Sequence, residues 1–248
     1  MANDERNWLA EQFEGQRSRL LAVAYRMLGS RSEAEDAVQE AWLRLHGTAD
    51  GEVGNLGAWL TTVVARISLN MLRSRKTRTE AHLPEPIIDR ADGTSPEHAA
   101  LLASGVSLAL LVVLEALAPA ERVAFVLHDV FDMTFDEIAP IVQRTPEAAR
   151  QLASRARRRV QARNAVPDVD MEVQRRVVDG FLAAAHDGDF HRLVAVLDPE
   201  VVLRRDTGAM SGGVEIRGAE QVARGAQSFS RLGLLRRPVL VNGVPGAL

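Results

Sequence analysis

Cysteine is absent from this chain of 248 residues, which excludes disulfides, thiolate metal sites and a thiol nucleophile. Aromatic residues make up only 4%, and with Ala, Leu and Arg abundant the composition favours helices. No apolar run approaches the roughly 20 residues that span a bilayer; the longest, Val106 to Leu114, is interrupted by Ser107. The opening residues Asn3, Asp4 and Glu5 lack the basic-then-apolar order of a signal peptide, so a soluble, cytoplasmic protein is expected. The net charge of −3, taken whole, argues mildly against a nucleic-acid binder, but phosphate contact depends on where the charges sit, and their placement is the informative quantity. The length implies two or three domains.

Helical periodicity runs from Arg17 to Met27 and from Glu33 to Leu45. In the second segment Ala34, Ala37, Val38, Ala41, Trp42 and Leu45 fall on one stripe, leaving Glu35, Asp36, Gln39, Glu40 and Arg44 on the other. Gly29 and Ser30 separate the two helices, and Ser32 is the expected N-cap of the second. After a glycine-rich stretch from Gly47 to Gly57, a third helix is predicted from Ala58 to Ser74. Arg66, Arg73, Arg75, Lys76 and Arg78 give it a cationic surface, because no acidic residue occurs between Val53 and Thr79. Trp42 and Trp59 are read as packing residues, with stacking of Trp59 on an unpaired base as the alternative. The segment Glu80 to Glu97, with Pro84, Pro86, Gly93 and Pro96, reads as a linker.

Beyond it come helices from Ala99 to Leu117, Ala120 to Phe131 and Phe135 to Val142, then a tight turn at Gln143 and Arg144. Thr145 can cap the next helix, Pro146 loses no hydrogen bond at its first position, and Glu147 complements its dipole. Ala149, Leu152, Ala153, Ala156 and Val160 line one face of that helix. This is the helix-turn-helix order, in which the N-terminal part of the second helix meets base edges in the major groove. Arg150, Gln151, Ser154 and Arg155 are placed to read bases, Arg pairing bidentately with guanine and Gln with adenine, and Arg158 among the later arginines completes the candidate DNA-binding residues as a phosphate contact. The bland alternative is a solvated, dipole-complementing helix end; the preceding turn and the Thr-Pro-Glu start favour DNA. His128, His186 and His191 show no ligand spacing and are read as structural; no metal or cofactor is expected.

From Met171 to His186 and from Phe190 to Leu197 the pattern is again helical, and Val201 to Arg205 and Val214 to Arg217 read as strands among glycines. This part is of mixed α+β type.

Two segments together resemble the extracytoplasmic-function sigma factors. The runs Met27-Leu28-Gly29-Ser30, Ala34-Glu35-Asp36-Ala37-Val38-Gln39-Glu40-Ala41-Trp42-Leu43, Ala58-Trp59-Leu60 and Leu72-Arg73-Ser74-Arg75 are similar to their region 2. Ala120-Glu121-Arg122-Val123-Ala124-Phe125 and Ser154-Arg155-Ala156-Arg157 are similar to their region 4. The resemblance implies a chain that binds core RNA polymerase and directs promoter recognition and transcription initiation. It implies that Glu35, Asp36, Gln39 and Glu40 meet the β′ clamp helices, that Trp59, Arg66, Asn70 and Arg73 meet the −10 element, that the helix-turn-helix reads the −35 element, and that the polymerase β flap is a further contact. An anti-sigma factor is left open as a partner.

The rest resembles the subgroup of that family bearing a C-terminal SnoaL-like domain. Its Trp-Leu-Pro-Glu-Pro linker motif stands here as His82-Leu83-Pro84-Glu85-Pro86, its Gly-rich Asp motif is reduced to Asp206-Thr207-Gly208-Ala209-Met210, and its Asn-Gly-x-Pro-Gly motif is intact as Asn242-Gly243-Val244-Pro245-Gly246. Leu83, Pro84, Glu85, Pro86, Asp206, Asn242, Gly243, Pro245 and Gly246 are then implied interdomain regulatory residues. The expected fold is mainly α: a region 2 bundle (8–79), a linker (80–98), a region 4 helix-turn-helix (99–164) and a partial α+β SnoaL/NTF2-like domain (168–248). A partial sheet of that kind would expose an edge strand.

Two rival functions remain. A stand-alone helix-turn-helix regulator would leave the acidic helix face unexplained. An enzymatic C-terminal domain would need Asp206 as a buried general base, yet no His or Tyr is evidently paired with it, and the expectation is that the chain is not an enzyme.

Overall fold

The computed structural model describes residues 2–47, 55–78, 84–93, 98–99, 107–162, 170–205, 214–230 and 237–248. The chain divides into two compact units: residues 1–80, 84–86 and 95–166 form one, and residues 81–83, 87–94 and 167–248 form the other.

The first unit begins with three mutually packed helices, α1 (Ala2–Leu28), α2 (Arg31–His46) and α3 (Leu56–Arg78). Leu20, Val23, Ala24 and Met27 of α1, Ala37, Val38 and Ala41 of α2, and Leu60, Val64 and Leu72 of α3 are buried among them. Helix α1 starts at Ala2 rather than Arg17, because the apolar stripe takes hold only where the other two helices reach it. The α1–α2 corner is made by Gly29 at φ +70, where a Cβ would also lie 3.1 Å from Glu115 Oε1; only glycine adopts this left-handed cap without strain. The N-cap of α2 is Ser30, whose Oγ accepts from Glu33 N at 3.4 Å. Ser32, expected in that role, is already helical, and its hydroxyl lies 3.0 Å from that of Ser30. Trp42 is half-buried rather than sealed in the core, its ring centroid 4.7 Å from that of Phe13 and 4.1 Å from that of His46.

The same unit continues through α4 (Leu108–Glu115), α5 (Pro119–Phe125), a π-helical turn (Val126–Val130), α6 (Phe135–Val142) and α7 (Pro146–Ala162). Of the helix predicted from Ala99 to Leu117, residues 100–106 lie outside the described residues, and Leu108–Glu115 is helical between the Ser107 N-cap and the Ala116 C-cap. The stretch expected as one helix from Ala120 to Phe131 changes at Val126 into a π turn, a local widening that commonly marks functional sites. Gln143 takes the left-handed conformation (φ 58) between α6 and α7, and Thr145 Oγ1 accepts from Ala148 N at 3.3 Å at the start of α7. Helices α5 and α6 pack on α7 and also on α3, so the two helical segments share a core.

Buried charge lies between these segments. Arg75 of α3 is 7% exposed; it pairs with Glu33 and Glu115 and donates to the Leu28 carbonyl at 3.0 Å. Arg122 of α5 donates to Glu115 and to the Met27 carbonyl, both at 2.8 Å. Arg75 was expected on the cationic surface; it is buried because a guanidinium can enter the interior when carboxylates and helix-end carbonyls meet its donors. Arg26, also buried, lies 4.9 Å from the Phe131 ring centroid, and desolvation lowers its pKa to about 10.

The second unit contains β1 (Ile88–Arg90), α8 (Met171–Asp187), α9 (Phe190–Val196), β2 (Val202–Arg205), β3 (Val214–Arg217), α10 (Ala219–Ser230), β4 (Pro238–Val241) and β5 (Val244–Ala247). Antiparallel pairing gives one sheet in the order β1-β4-β5 and a second, β2-β3. Ala184 and Ala185 of α8, Leu193 of α9 and Ala223 of α10 make a small core, with Phe181 and Phe190 against it. The linker is therefore not wholly irregular: β1 lies within it and pairs Ile88 with Val241 and Arg90 with Val239.

Candidate functional site

Three exposed surfaces of the first unit carry the residues singled out from the sequence. On α2, Glu35, Asp36 and Gln39 are exposed and Glu40 half-buried, while Ala34, Ala37, Val38 and Ala41 face inward. Arg31 holds Glu35 at 2.9 Å and Arg44 holds Glu40 at 3.0 Å, each one turn away. Such pairs are worth a few tenths of a kcal/mol, so they leave the acidic face free to exchange partners. Leu43, 59% exposed, extends this face by one turn from Gln39 and adds an apolar element to it.

On α3, Trp59 is half-buried and Arg66, Asn70 and Arg73 are exposed. Their steps of seven, four and three residues place all four along one side of the helix. Asn55 fixes the helix start by accepting from Ala58 N at 3.1 Å. A strip of amide and guanidinium donors ending at an indole matches what an unpaired strand offers, phosphates along one side and a base face to stack on.

On α7, Arg150, Gln151, Ser154, Arg155 and Arg158 are all exposed, while Ala149, Ala153 and Ala156 are fully buried. Small buried residues let the helix sit close to α5 and α6, which lifts its arginine face clear of the fold. Arg157 and Arg159 behave differently. Arg157 donates to Asp129 at 2.7 Å and Arg159 to the buried Glu121 at 2.7 Å, and Glu121 also accepts from the Ala118 amide at 3.3 Å. These two arginines bind α7 to the preceding helices. The periodicity of α7 gives no sign of it, because Asp129 and Glu121 lie in another part of the chain. Phe135 was also missed: the Arg150 guanidinium carbon lies 5.3 Å from its ring centroid, and no local pattern connects the two.

Glu85 of the linker motif is held within the first unit. Glu85 accepts from Ser30 Oγ at 3.0 Å and Arg31 N at 3.1 Å, its carbonyl accepts from the Tyr25 hydroxyl at 2.8 Å, and its amide donates to the Gly29 carbonyl at 2.7 Å. Within the second unit, Asn242 (φ 50) and Gly243 (φ 77) form the turn between β4 and β5, the pairing that tight hairpins favour. The Asn242 side-chain oxygen accepts from Ile87 N at 2.9 Å, and the Asn242 backbone N–H donates to the Ile87 carbonyl at 2.8 Å. Pro245 stands opposite Leu240 and Gly246 opposite Val239; a Cβ on Gly246 would come within 2.7 Å of Val241 Cγ2. Leu83 and Asp206 lie outside the described residues.

Among the described residues, no group of three or more His, Asp or Glu is placed to hold a metal ion, and no helix is long and apolar enough to cross a membrane.

Residues 13–78 match the family Sigma-70 region 2, and residues 107–160 match Sigma-70, region 4. The ECF RNA polymerase sigma factor SigJ of Mycobacterium tuberculosis is 41% identical over 253 residues, covering 95% of this chain and 79% of that protein. The chain belongs to the ECF RNA polymerase sigma factors. The probable ECF RNA polymerase sigma factor SigI of the same species is 37% identical over 212 residues, covering 83% of this chain and 71% of that one. The crystal structure of Mycobacterium tuberculosis SigJ aligns with a TM-score of 0.78 at 38% identity, covering 96% of this chain and 83% of SigJ. As an ECF sigma factor the protein acts with core RNA polymerase and directs initiation at promoters, with α1–α3 corresponding to region 2 and α4–α7 to region 4.

Proposed function

We propose that Glu35, Asp36, Gln39 and Glu40 bind the β′ clamp helices of the polymerase, that Trp59, Arg66, Asn70 and Arg73 hold the melted −10 element, and that Arg150, Gln151, Ser154, Arg155 and Arg158 engage the −35 element. The observation that carries this reading is the sorting of charge. One region 2 helix shows an acidic face to solvent, while the next and the recognition helix show basic ones. Helix α7 contacts bases through Arg150, Gln151, Ser154 and Arg155 in its N-terminal turns and phosphates through the later Arg158. Region 4 is further assigned to the polymerase β flap.

The second unit is read as a SnoaL-like regulatory domain. Support comes from the linker: Glu85 is tied to the α1–α2 corner, and two residues later Ile87 is tied to Asn242. A change in the hairpin turn reaches region 2 through the short covalent step Glu85-Pro86-Ile87, and the domain thereby sets how readily the promoter-competent geometry forms.

Run-off transcription with core polymerase and a promoter library tests these assignments. Transcripts that depend on the chain and vanish in the Asp36→Arg, Glu40→Arg double variant support the clamp assignment. Unchanged transcription in that variant removes it. Asn242→Gly, which keeps the turn and the backbone bond to the Ile87 carbonyl but loses the side-chain acceptor of the Ile87 amide, is expected to change transcript yield; an unaltered yield refutes regulation by this route.

A further inference from the structure

The recognition helix has a neighbour whose role the DNA-contact assignment does not use. Phe135 is the first residue of α6, half-buried, and its position is fixed from both sides. Thr134 and Glu137 close a capping box around it, Thr134 N and Oγ1 donating to the Glu137 carboxylate at 2.9 and 2.8 Å. The His128 ring stacks on it at 4.1 Å between centroids, and His128 Nδ1 lies 3.0 Å from the Met133 carbonyl. The π turn that carries His128 also carries Asp129, which holds Arg157 of α7 at 2.7 Å. On this braced ring rests the Arg150 guanidinium, 5.3 Å from its centroid, within the range at which a cation is drawn to an aromatic face. Arg150 is otherwise an exposed side chain with four rotatable bonds, and freezing it on DNA carries an entropic cost.

We propose that Phe135 is a positioning residue for promoter recognition: its ring gathers the Arg150 guanidinium over the start of the recognition helix and presents it to a −35 base in a restricted set of orientations. Phe135 itself touches no base. The proposal rests on the assignment of Arg150 as a base-reading residue. A cation–π contact is made by the charge of the guanidinium with the ring face and needs none of its N–H groups as hydrogen-bond donors, so they stay available for the bidentate bonds that guanine accepts.

The test uses full-length protein with core polymerase and a promoter library randomised at the −35 element, comparing Phe135→Leu, Phe135→Tyr, Arg150→Ala and the Phe135→Leu, Arg150→Ala double variant. Arg150→Ala is expected to lower discrimination at one −35 position by about tenfold. Phe135→Leu lowers discrimination at that same position by roughly two- to fivefold, Phe135→Tyr retains it because the ring is kept, and Phe135→Leu adds nothing in the Arg150→Ala background. If Phe135→Leu reduces transcription alike on every sequence, or does so equally with and without Arg150, or if Phe135→Tyr fails as Phe135→Leu does, the ring serves only the packing of α6 and the proposal falls. A uniform loss in Arg150→Ala has a different signature: it removes the base-reading assignment itself, and the positioning role with it.

Discussion

Arg75 and Leu28, 47 residues apart in the chain, are joined by a buried hydrogen bond of 3.0 Å from the guanidinium to the carbonyl that ends α1. The same guanidinium pairs with Glu33 of α2 and Glu115 of α4, so one side chain closes the region 2 bundle and ties region 4 to it. Replacing it with Met keeps the aliphatic stem but takes the donor from Glu33 and from the Leu28 carbonyl, Glu115 keeping its bond from Arg122. A loss of about 3 kcal/mol is expected, the cost of breaking a buried pair from one side, read from urea unfolding of the full chain. A loss below about 0.5 kcal/mol, the level of an exposed pair, would show that Glu33 and Glu115 are well hydrated without it.

Asn242→Gly is the corresponding variant in the second unit. Glycine tolerates the positive φ of the turn, so the change removes the side-chain acceptor of the Ile87 amide while the turn is kept. An unsatisfied buried amide costs about 1–3 kcal/mol. Hydrogen exchange at Ile87 is expected to speed up by roughly tenfold or more while amides in α8 exchange as before. Unchanged protection at Ile87 would mean that the β1–β4 ladder holds the linker without the Asn242 side chain.

What the sequence made legible was local. The start of α7 could be read from Thr145, Pro146 and Glu147 because capping acts over a single turn. The exposure of Arg66, Asn70 and Arg73 followed from the period of α3. Arg75 broke that logic, since its partners at Leu28, Glu33 and Glu115 lie far off in the chain, and a spacing rule cannot distinguish a solvated arginine from one that enters the interior. Strand β1 was hidden for the same reason. Three residues just after two prolines carry no alternation, and the Asn242 that fastens Ile87, the residue before the strand, is 155 residues away from it. The stack of Arg150 on Phe135 joins two helices across a turn, and the sequence showed only that each end was in the right helix. Of the candidate site residues, the exposed helix faces were readable and the supports behind them were not.

Acid should loosen the helix-turn-helix from its first helix. The Glu137 carboxylate accepts two bonds from Thr134, and these hold its pKa below the ordinary 4.5. A carboxylate whose pKa is depressed in the folded state stabilises that state fully above its unfolded value, and the contribution disappears as pH falls through the folded one. The group is largely exposed, so an effect of about 0.5 kcal/mol is expected. Thermal midpoints of the native chain and of Glu137→Gln should differ by a constant amount near neutrality and converge as the pH descends through the carboxylate range. A gap that persists at low pH would show that shape, not charge, sets the value of this cap.

Arg157 and Arg158 stand side by side in α7 and should respond oppositely. Arg158 is exposed and is assigned to phosphate, so Arg158→Ala should weaken holoenzyme binding on every promoter sequence alike and reduce the slope of log affinity against log salt by about 1. Arg157 already serves Asp129 at 2.7 Å. Its removal should leave the salt slope unchanged and cost about 1 kcal/mol of stability at most, because the Arg157 charge is neutralised within the protein and releases few counterions from DNA. The comparison needs only one promoter and a salt series. Equal slopes for the two variants would mean that Arg157 leaves Asp129 for phosphate when α7 enters the groove, and the anchoring of α7 on the π turn would then be a property of the free protein alone.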